Sequence, residues 1–431
     1  MNILMLTPRF PYPPTRGDVV RAWSQLQYLA DRHDLWLACV DRNAPRPEHL
    51  ARVRRICRAV ACARRSAPAS LLHGGAGLLR GQSLTEGFFG SASLRRTIRS
   101  WAATVWFDAV LTFSSAMAPF AELVPAPRRV LDLNDVDSHK WAVYARRSSA
   151  PLGWLYALES RRLRAAERRW VRSHNVTLVV NERERRRLVT QLDPRGSDVV
   201  RTCVSAAGHN DRNTTNSPPS AAGGPIVGTL GSLFYPPNVR AIEWFAGHVW
   251  PRVKRAVPAA RWWIVGNRPV RRVRRCGRAP GVTVTGFVPD IRPYLDAMRV
   301  FVNPVDGDIG VQTKLLFALA AGKPAVVTPD SAAGIDYVGE PPFLIARQPA
   351  DFAEAVVRVL RDEPLAERLS VRARRLIDTD YRLDGQVQRV EQWLTGEPLS
   401  APNAPACGPR TAISTQPEAQ HPADAAAEVF T

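Results

Sequence analysis

The chain has 431 residues, 45% of them hydrophobic, enough to bury more than one core, and at roughly 100 to 200 residues per domain it predicts two or three. Its 59 Lys and Arg against 39 Asp and Glu leave a net charge of +20, and all of those cations except Lys140, Lys254, Lys314 and Lys323 are arginines. No run reaches the roughly 18 apolar residues of a spanning helix, MNILMLTPRF lacks the basic start and apolar stretch of a secretory leader, and six scattered cysteines make no zinc pattern, so a cytoplasmic protein with reduced thiols and no metal is expected.

MNILMLTP, a short apolar run ending in a Thr-Pro turn, predicts a buried first strand. The Pro- and Gly-rich loop RFPYPPTRGD leads into a helical pattern at Asp18, and LWLACV at 35–40 predicts a second strand. Strand, helix and strand in that order form a βαβ unit, which implies a parallel sheet. Further strands are predicted at 108–115, 128–135, 176–180 and 198–204, with helices at 93–103, 151–173 and 182–190. This half predicts a doubly wound α/β domain over 1–204.

Residues 205–224 are small, polar, Pro or Gly and predict a linker. A second alternation over 225–396 predicts strands in PIVGTLGS, RWWIVG, VTVTG, VFVNPV and PAVVTP. Helices are expected at 237–256, in DIRPYLDAM and at 312–321, and three more near 350–361, 364–376 and 383–394 close this domain. The segment 397–431, with six Pro and nine Ala, predicts a disordered tail.

Open α/β sheets bind ligands at the carboxyl ends of their strands, which directs attention to three loops. Gly17, with Arg16 beside it, either lets backbone approach an anion at a helix start or serves a plain turn. LDLNDVDSHKW at 131–141 crowds three carboxylates and Lys140 at one strand end; Asp135 and Asp137 either join a functional constellation or cap the next helix, and His139 is either a base or a packing residue. Gly310 precedes a helix whose free N–H groups suit a diphosphate, with Lys314 one turn in as a cation for a leaving phosphate. Gly322 before Lys323 and Pro324 ends that helix.

RFPYPPTRGDVVRAWSQLQYLADRH, FSSAMAPF, LNDVDSHKWAVYA, ESRRLRAAE, GSLFYPPNVRAIEWF, WWIVGNRPV, GVTVTGFVPDIRPY and QTKLLFALAAGKPAVVT occur in this order. Together they resemble a GT-B glycosyltransferase of the family 4 type, and more closely the sugar transferases of bacterial exopolysaccharide clusters, over residue 1 to about 395. The resemblance implies an α/β GT-B architecture of two Rossmann-like domains facing a central cleft. It also implies transfer from a nucleoside-diphosphate sugar, usually with retention and without metal or other cofactor. By position, Gly17 would face the donor phosphates and sugar, Gly231 would belong to the donor site, and Gly286, Phe287 and Val288 would lie against the base. Gly310, Gln312 and Lys314 would contact the diphosphate, and Asp135, Asp137 and Lys140 would act on the reacting sugar or acceptor.

The chain departs from that pattern where two glutamates usually stand: Ile309 and Phe317 replace them, with Asp306 or Asp308 the nearest substitutes. Losing a charged acceptor for the ribose costs roughly 1.5 to 3 kcal/mol. Ser232 and Pro237 replace a usual Arg and Lys, and Thr202, Cys203, Val204 and Ser205 replace an Asn-Gly-Val-Asp pattern. Two functions follow: a transferase acting on a lipid-linked or polysaccharide acceptor, or a non-catalytic GT-B partner in a polysaccharide assembly complex. The ten arginines against Glu86 alone in 51–100, and twelve against four acids in 146–187, suit an anionic inner membrane face. No nucleic-acid-binding motif accompanies the charge.

Overall fold

The computed structural model describes residues 1–14, 17–65, 74–75, 77–203, 223–307 and 310–398. Arg16, Asp308, Ile309, most of the predicted linker and most of the predicted tail lie outside the described residues. The described residues divide into two compact units, Met1–Thr202 joined by the returning helix that starts at Leu383, and Cys203–Arg382.

The first unit is built on seven parallel strands, β1 (Asn2–Thr7), β2 (Asp34–Asp41), β3 (Ala59–Arg64), β4 (Ala109–Phe113), β5 (Arg128–Asn134), β6 (Val176–Val179) and β7 (Ser197–Val199), in the order β3-β2-β1-β4-β5-β6-β7. The central strand is apolar throughout because both its faces are covered: Ile3 and Met5 enter one core with Leu111 and Phe113, and Leu4 and Leu6 enter the other with Val110. Ile3 pairs with Leu35 on one side and Ala109 on the other, so order reverses between β1 and β4. That switch point is where a doubly wound sheet opens a crevice.

The second unit repeats the scheme with β8 (Ile226–Leu230), β9 (Arg261–Val265), β10 (Val282–Gly286), β11 (Val300–Asn303), β12 (Ala325–Val327) and β13 (Leu344–Ile345), ordered β10-β9-β8-β11-β12-β13. Its strands alternate between two cores: Trp262, Ile264, Val300 and Val302 on one face, Trp263, Val265 and Phe301 on the other. The predicted helix 237–256 is one helical run with a π turn at Phe245–Val249 between Pro236–Trp244 and Trp250–Ala256.

Three features differ from expectation. The structure adds the edge strands β3 and β13 and the helices Pro47–Arg54, Leu84–Phe89 and Arg271–Cys276, the helix after Asp135 runs over Asp137–Arg147, and β7 is shorter than 198–204. The last helix, Leu383–Thr395, expected within 225–396, belongs to the first unit instead. Its apolar face fixes it there: Val390 and Leu394 are fully buried with Leu26, Leu29 and Val200. Arg389 and Trp393 both donate to Asp198, the Arg389 Nη2 and Trp393 Nε1 bonds each at 2.7 Å.

Candidate functional site

In the first unit, Arg21 and Asp132 form a fully buried pair at 2.8 Å, joined by Gln25 at 3.2 Å, and Arg21 also donates to the Val200 carbonyl at 2.6 Å. A buried pair of this kind costs desolvation and recovers it only through such added bonds. Its effect is to clamp the helix Gly17–Ala30 across β5, which sets Gly17 and Asp18 at the switch point. A cavity of about 20 Å³, room for one water molecule, opens there between Thr7, Arg9, Asp18, Phe113 and Asn134. Arg9 Nε donates to Asp18 at 3.2 Å, and Asn134 holds a left-handed φ of 61° at the end of β5.

The segment that follows is gripped by carboxylates from two other helices. Glu184 accepts the Val136 N–H at 3.1 Å, and the fully buried Glu167 accepts the Ser138 N–H at 3.2 Å. Ser115 Oγ donates to Asp137 at 2.6 Å, and Ser160 Oγ to the Ser138 carbonyl at 2.8 Å. Asp137 opens the helix Asp137–Arg147 without serving as its N-cap. Burial and the nearby charges of Glu184 and Asp137 push Asp135 up to about 7, against Lys140 and Arg183; its Oδ1 is buried without a hydrogen-bond partner among the described residues. Burial and Asp137 push Glu167 up to about 8. Loss of water around the Lys140 ammonium draws its pKa down, yet Asp137, Tyr144, Asp135 and Asp18 outweigh this and hold it above the usual lysine value. The structure thus brings Asp135, Asp137 and Lys140 into one electrostatic cluster. Of its two acids, Asp135 is held near neutrality, the range in which a carboxyl can exchange a proton with a substrate.

In the second unit, Gly231 leaves β8 with a φ of 155°, and a Cβ there would meet Asn238 Nδ2 at 2.8 Å and Lys314 Nζ at 3.7 Å. Gly266, after β9, passes so close to Gly231 that its own Cβ would overlap the Gly231 carbonyl, and its N–H donates to Gly286 at the end of β10 at 3.3 Å. Three glycines therefore line the carboxyl edge of neighbouring strands, where side chains would close the backbone off.

Lys314, in the first turn of the helix Thr313–Ala320, donates to Asn238 Oδ1 at 2.6 Å, and Asn238 Nδ2 donates to the Ser232 carbonyl at 3.0 Å. Burial alone lowers the Lys314 ammonium to about 7, and it has no carboxylate partner among the described residues. Gly310 and Gln312 are half-buried just ahead of this helix. Past β10, Phe287 is 71% exposed, whereas Val288 is buried in the core. Phe317 packs against that same core. Asp306 is paired to Arg347 at 3.4 Å.

Asn238, Glu167, Glu184 and Ser115 were not singled out in the sequence. The signal for Glu167 is its place, with Glu159 and Ser160, among the apolar residues of the buried face of the helix Leu152–Ser173. Asn238 had none, since its partner lies 76 residues away. No group of three His, Cys, Asp or Glu side chains disposed to hold a metal occurs among the described residues.

Residues 224–362 match the family described as glycosyl transferases group 1. Three solved structures share the architecture at low identity. Sucrose-phosphate synthase from Thermosynechococcus elongatus is 13% identical with a TM-score of 0.64, covering 92% of this chain and 99% of that one. Anabaena HepE in complex with UDP-glucose is 12% identical at 0.62, covering 92% and 100%. S. aureus TarM, solved with UDP and a glycosylated glycerol, is 10% identical at 0.57, covering 91% and 99%. No curated protein sequence matches the chain.

Proposed function

We propose, for a chain with the two-domain Rossmann-like GT-B fold whose residues 224–362 match glycosyl transferases group 1, that it is a glycosyltransferase using a nucleoside-diphosphate sugar. Lys314 carries this reading: a cation without a carboxylate partner among the described residues, held by Asn238 beside the side-chain-free backbone of Gly231, suits a diphosphate. Gly286 and Phe287, on the same sheet edge, are assigned to the base, and Gly310 and Gln312 to the phosphates. UDP and UDP-sugar complexes of the similar folds support a nucleotide of that class.

In the transfer, the bond from the sugar's anomeric carbon to the β-phosphate oxygen breaks and a bond to an acceptor hydroxyl oxygen forms. Lys314 offsets the charge gained by the departing diphosphate. With retention, the acceptor hydroxyl attacks from the face that the diphosphate leaves, so its proton passes to the departing phosphate oxygen; Asp135, Asp137 and Lys140 of the first unit are assigned to the reacting sugar or acceptor. Retention of configuration, a lipid-linked or polysaccharide acceptor in surface-glycan synthesis, and a cytoplasmic, membrane-peripheral site of action belong to this proposal. The arginine excess of the first unit supports the membrane component, and no described helix is long and apolar enough to cross a bilayer.

Calorimetric titration with UDP, GDP, ADP and their sugar conjugates tests it. Selective binding of one nucleotide below about 1 mM, lost in Lys314→Ala, is expected; unchanged affinity in that variant removes Lys314 from the site. A second reading, a non-catalytic binding partner in a polysaccharide assembly complex, is favoured by Phe317, whose ring packs on the core where a ribose-binding carboxylate usually stands. It predicts nucleotide binding with no release of sugar from any conjugate.

A further inference from the structure

The helices Asp137–Arg147 and Leu152–Ser173 form a hairpin whose tip is tightly built. Gly153 makes the closure possible, since a Cβ there would stand 2.6 Å from the Ser148 carbonyl oxygen and 3.1 Å from that of Ala145. Its N–H donates to Ser149 at 2.8 Å, and the buried Tyr156 ring packs on Trp141 with centroids 5.2 Å apart. On this fixed turn, the next two residues face water: Trp154 is 74% exposed and Leu155 37%.

Exposed arginines precede and follow them along the hairpin. Arg146 and Arg147 end the preceding helix, and Arg161 lies seven residues, two turns, beyond Trp154 on the same helical face. All three are outside the salt bridges of the described residues, although other arginines of the long helix are paired, Arg169 to Glu86 and Arg172 to Asp193. An indole favours a boundary where its ring is apolar and its N–H is wet, and guanidiniums pair with phosphates. Two apolar side chains are far too little for a protein interface, which needs about 800 Å² per partner. They suffice for shallow entry into a headgroup layer whose charge complements the arginines.

We propose that this hairpin tip docks the protein on an anionic bilayer, Trp154 and Leu155 entering the headgroup region while Arg146, Arg147 and Arg161 meet lipid phosphates. The inference rests on the membrane component of the proposed function and gives it a site.

Co-sedimentation of the full chain with phosphatidylcholine vesicles, with and without phosphatidylglycerol, tests it. The wild type should bind the phosphatidylglycerol vesicles and retain part of that binding at high salt. The double variant Trp154→Ser, Leu155→Ser should bind roughly tenfold more weakly and lose the salt-resistant part. The triple variant Arg146→Gln, Arg147→Gln, Arg161→Gln should lose the preference for phosphatidylglycerol. All five positions are exposed, so the melting temperatures should stay at the wild-type value. A double variant that partitions like the wild type overturns the tip and leaves a peripheral protein that binds by another surface. A wild type that ignores anionic vesicles at low salt overturns the membrane component and the tip together. If the double variant instead converts a dimer of the free protein to monomer with vesicle binding intact, the patch serves a second copy and the proposal fails. Nucleotide titration reports on the transferase reading independently of all three.

Discussion

An ammonium that loses its proton near pH 7, as Lys314 does, binds an anion only after it is charged. A bound diphosphate raises that pKa, so affinity is full below about pH 7 and falls as pH rises through it, by up to roughly tenfold per pH unit until the bound pKa is reached. A sugar conjugate, whose phosphates do not titrate in this range, should show that fall, with proton uptake visible in calorimetry across buffers of different ionisation enthalpy. A flat profile would show that another group holds the phosphates. Glu167 is shifted the other way, upward, yet its contribution also falls as pH rises. Its folded pKa of about 8 lies above the ordinary 4.5, so its contribution to stability is fully present below about 4.5 and is lost as pH rises through 8, at about 1.4 kcal/mol per pH unit. Glu167→Gln should therefore melt increasingly above the wild type as pH is raised from about 4.5 to about 8, a gap that levels off beyond and closes on acidification. Of the site, the sequence displayed the residues that lie in one stretch, Asp135, Asp137 and Lys140, and the glycines at strand ends. It hid Asn238 and Glu184, whose partners at Lys314 and Val136 are distant along the chain.

Among the elements, the strands with continuous apolar runs, β1, β2, β4, β5, β6, β8, β9 and β11, were legible because burial on both faces demands such runs. The edge strand β3 was not: AVACAR is mostly small residues beside arginines, and only Ala63 in it is fully buried. The helix Leu383–Thr395 was legible as a helix but not in its allegiance. An amphipathic pattern shows that one face is buried without showing which core it covers, and here the decision falls to Asp198, which gathers Arg389 and Trp393 from nearly 200 residues away. Asp198→Asn leaves a partly buried guanidinium short of its charge partner and should destabilise the first unit by roughly 1 to 3 kcal/mol. Urea unfolding checks this. A change below about 0.5 kcal/mol would mean that the apolar contacts of Val390 and Leu394 hold the helix alone.

For the whole molecule, the chain leaves the first unit near Thr202 and re-enters it at Leu383. Ending the chain after Arg382 should therefore lower the thermal transition of the first unit, which loses a wall of its core, and leave that of the second unit in place. A nucleotide held by Lys314 should raise only the latter, and calorimetric scans separate the two. A truncation that shifts neither transition would show that the returning helix is an accessory. The same return path governs the order of assembly on the ribosome. The second unit has its whole sequence available as soon as Arg382 emerges, whereas the first, begun earlier, must wait with Leu26 and Leu29 uncovered until the final helix is synthesised. The part of the protein that is made first is thus the part completed last, and its exposed groove is the place where a chaperone would be needed during translation.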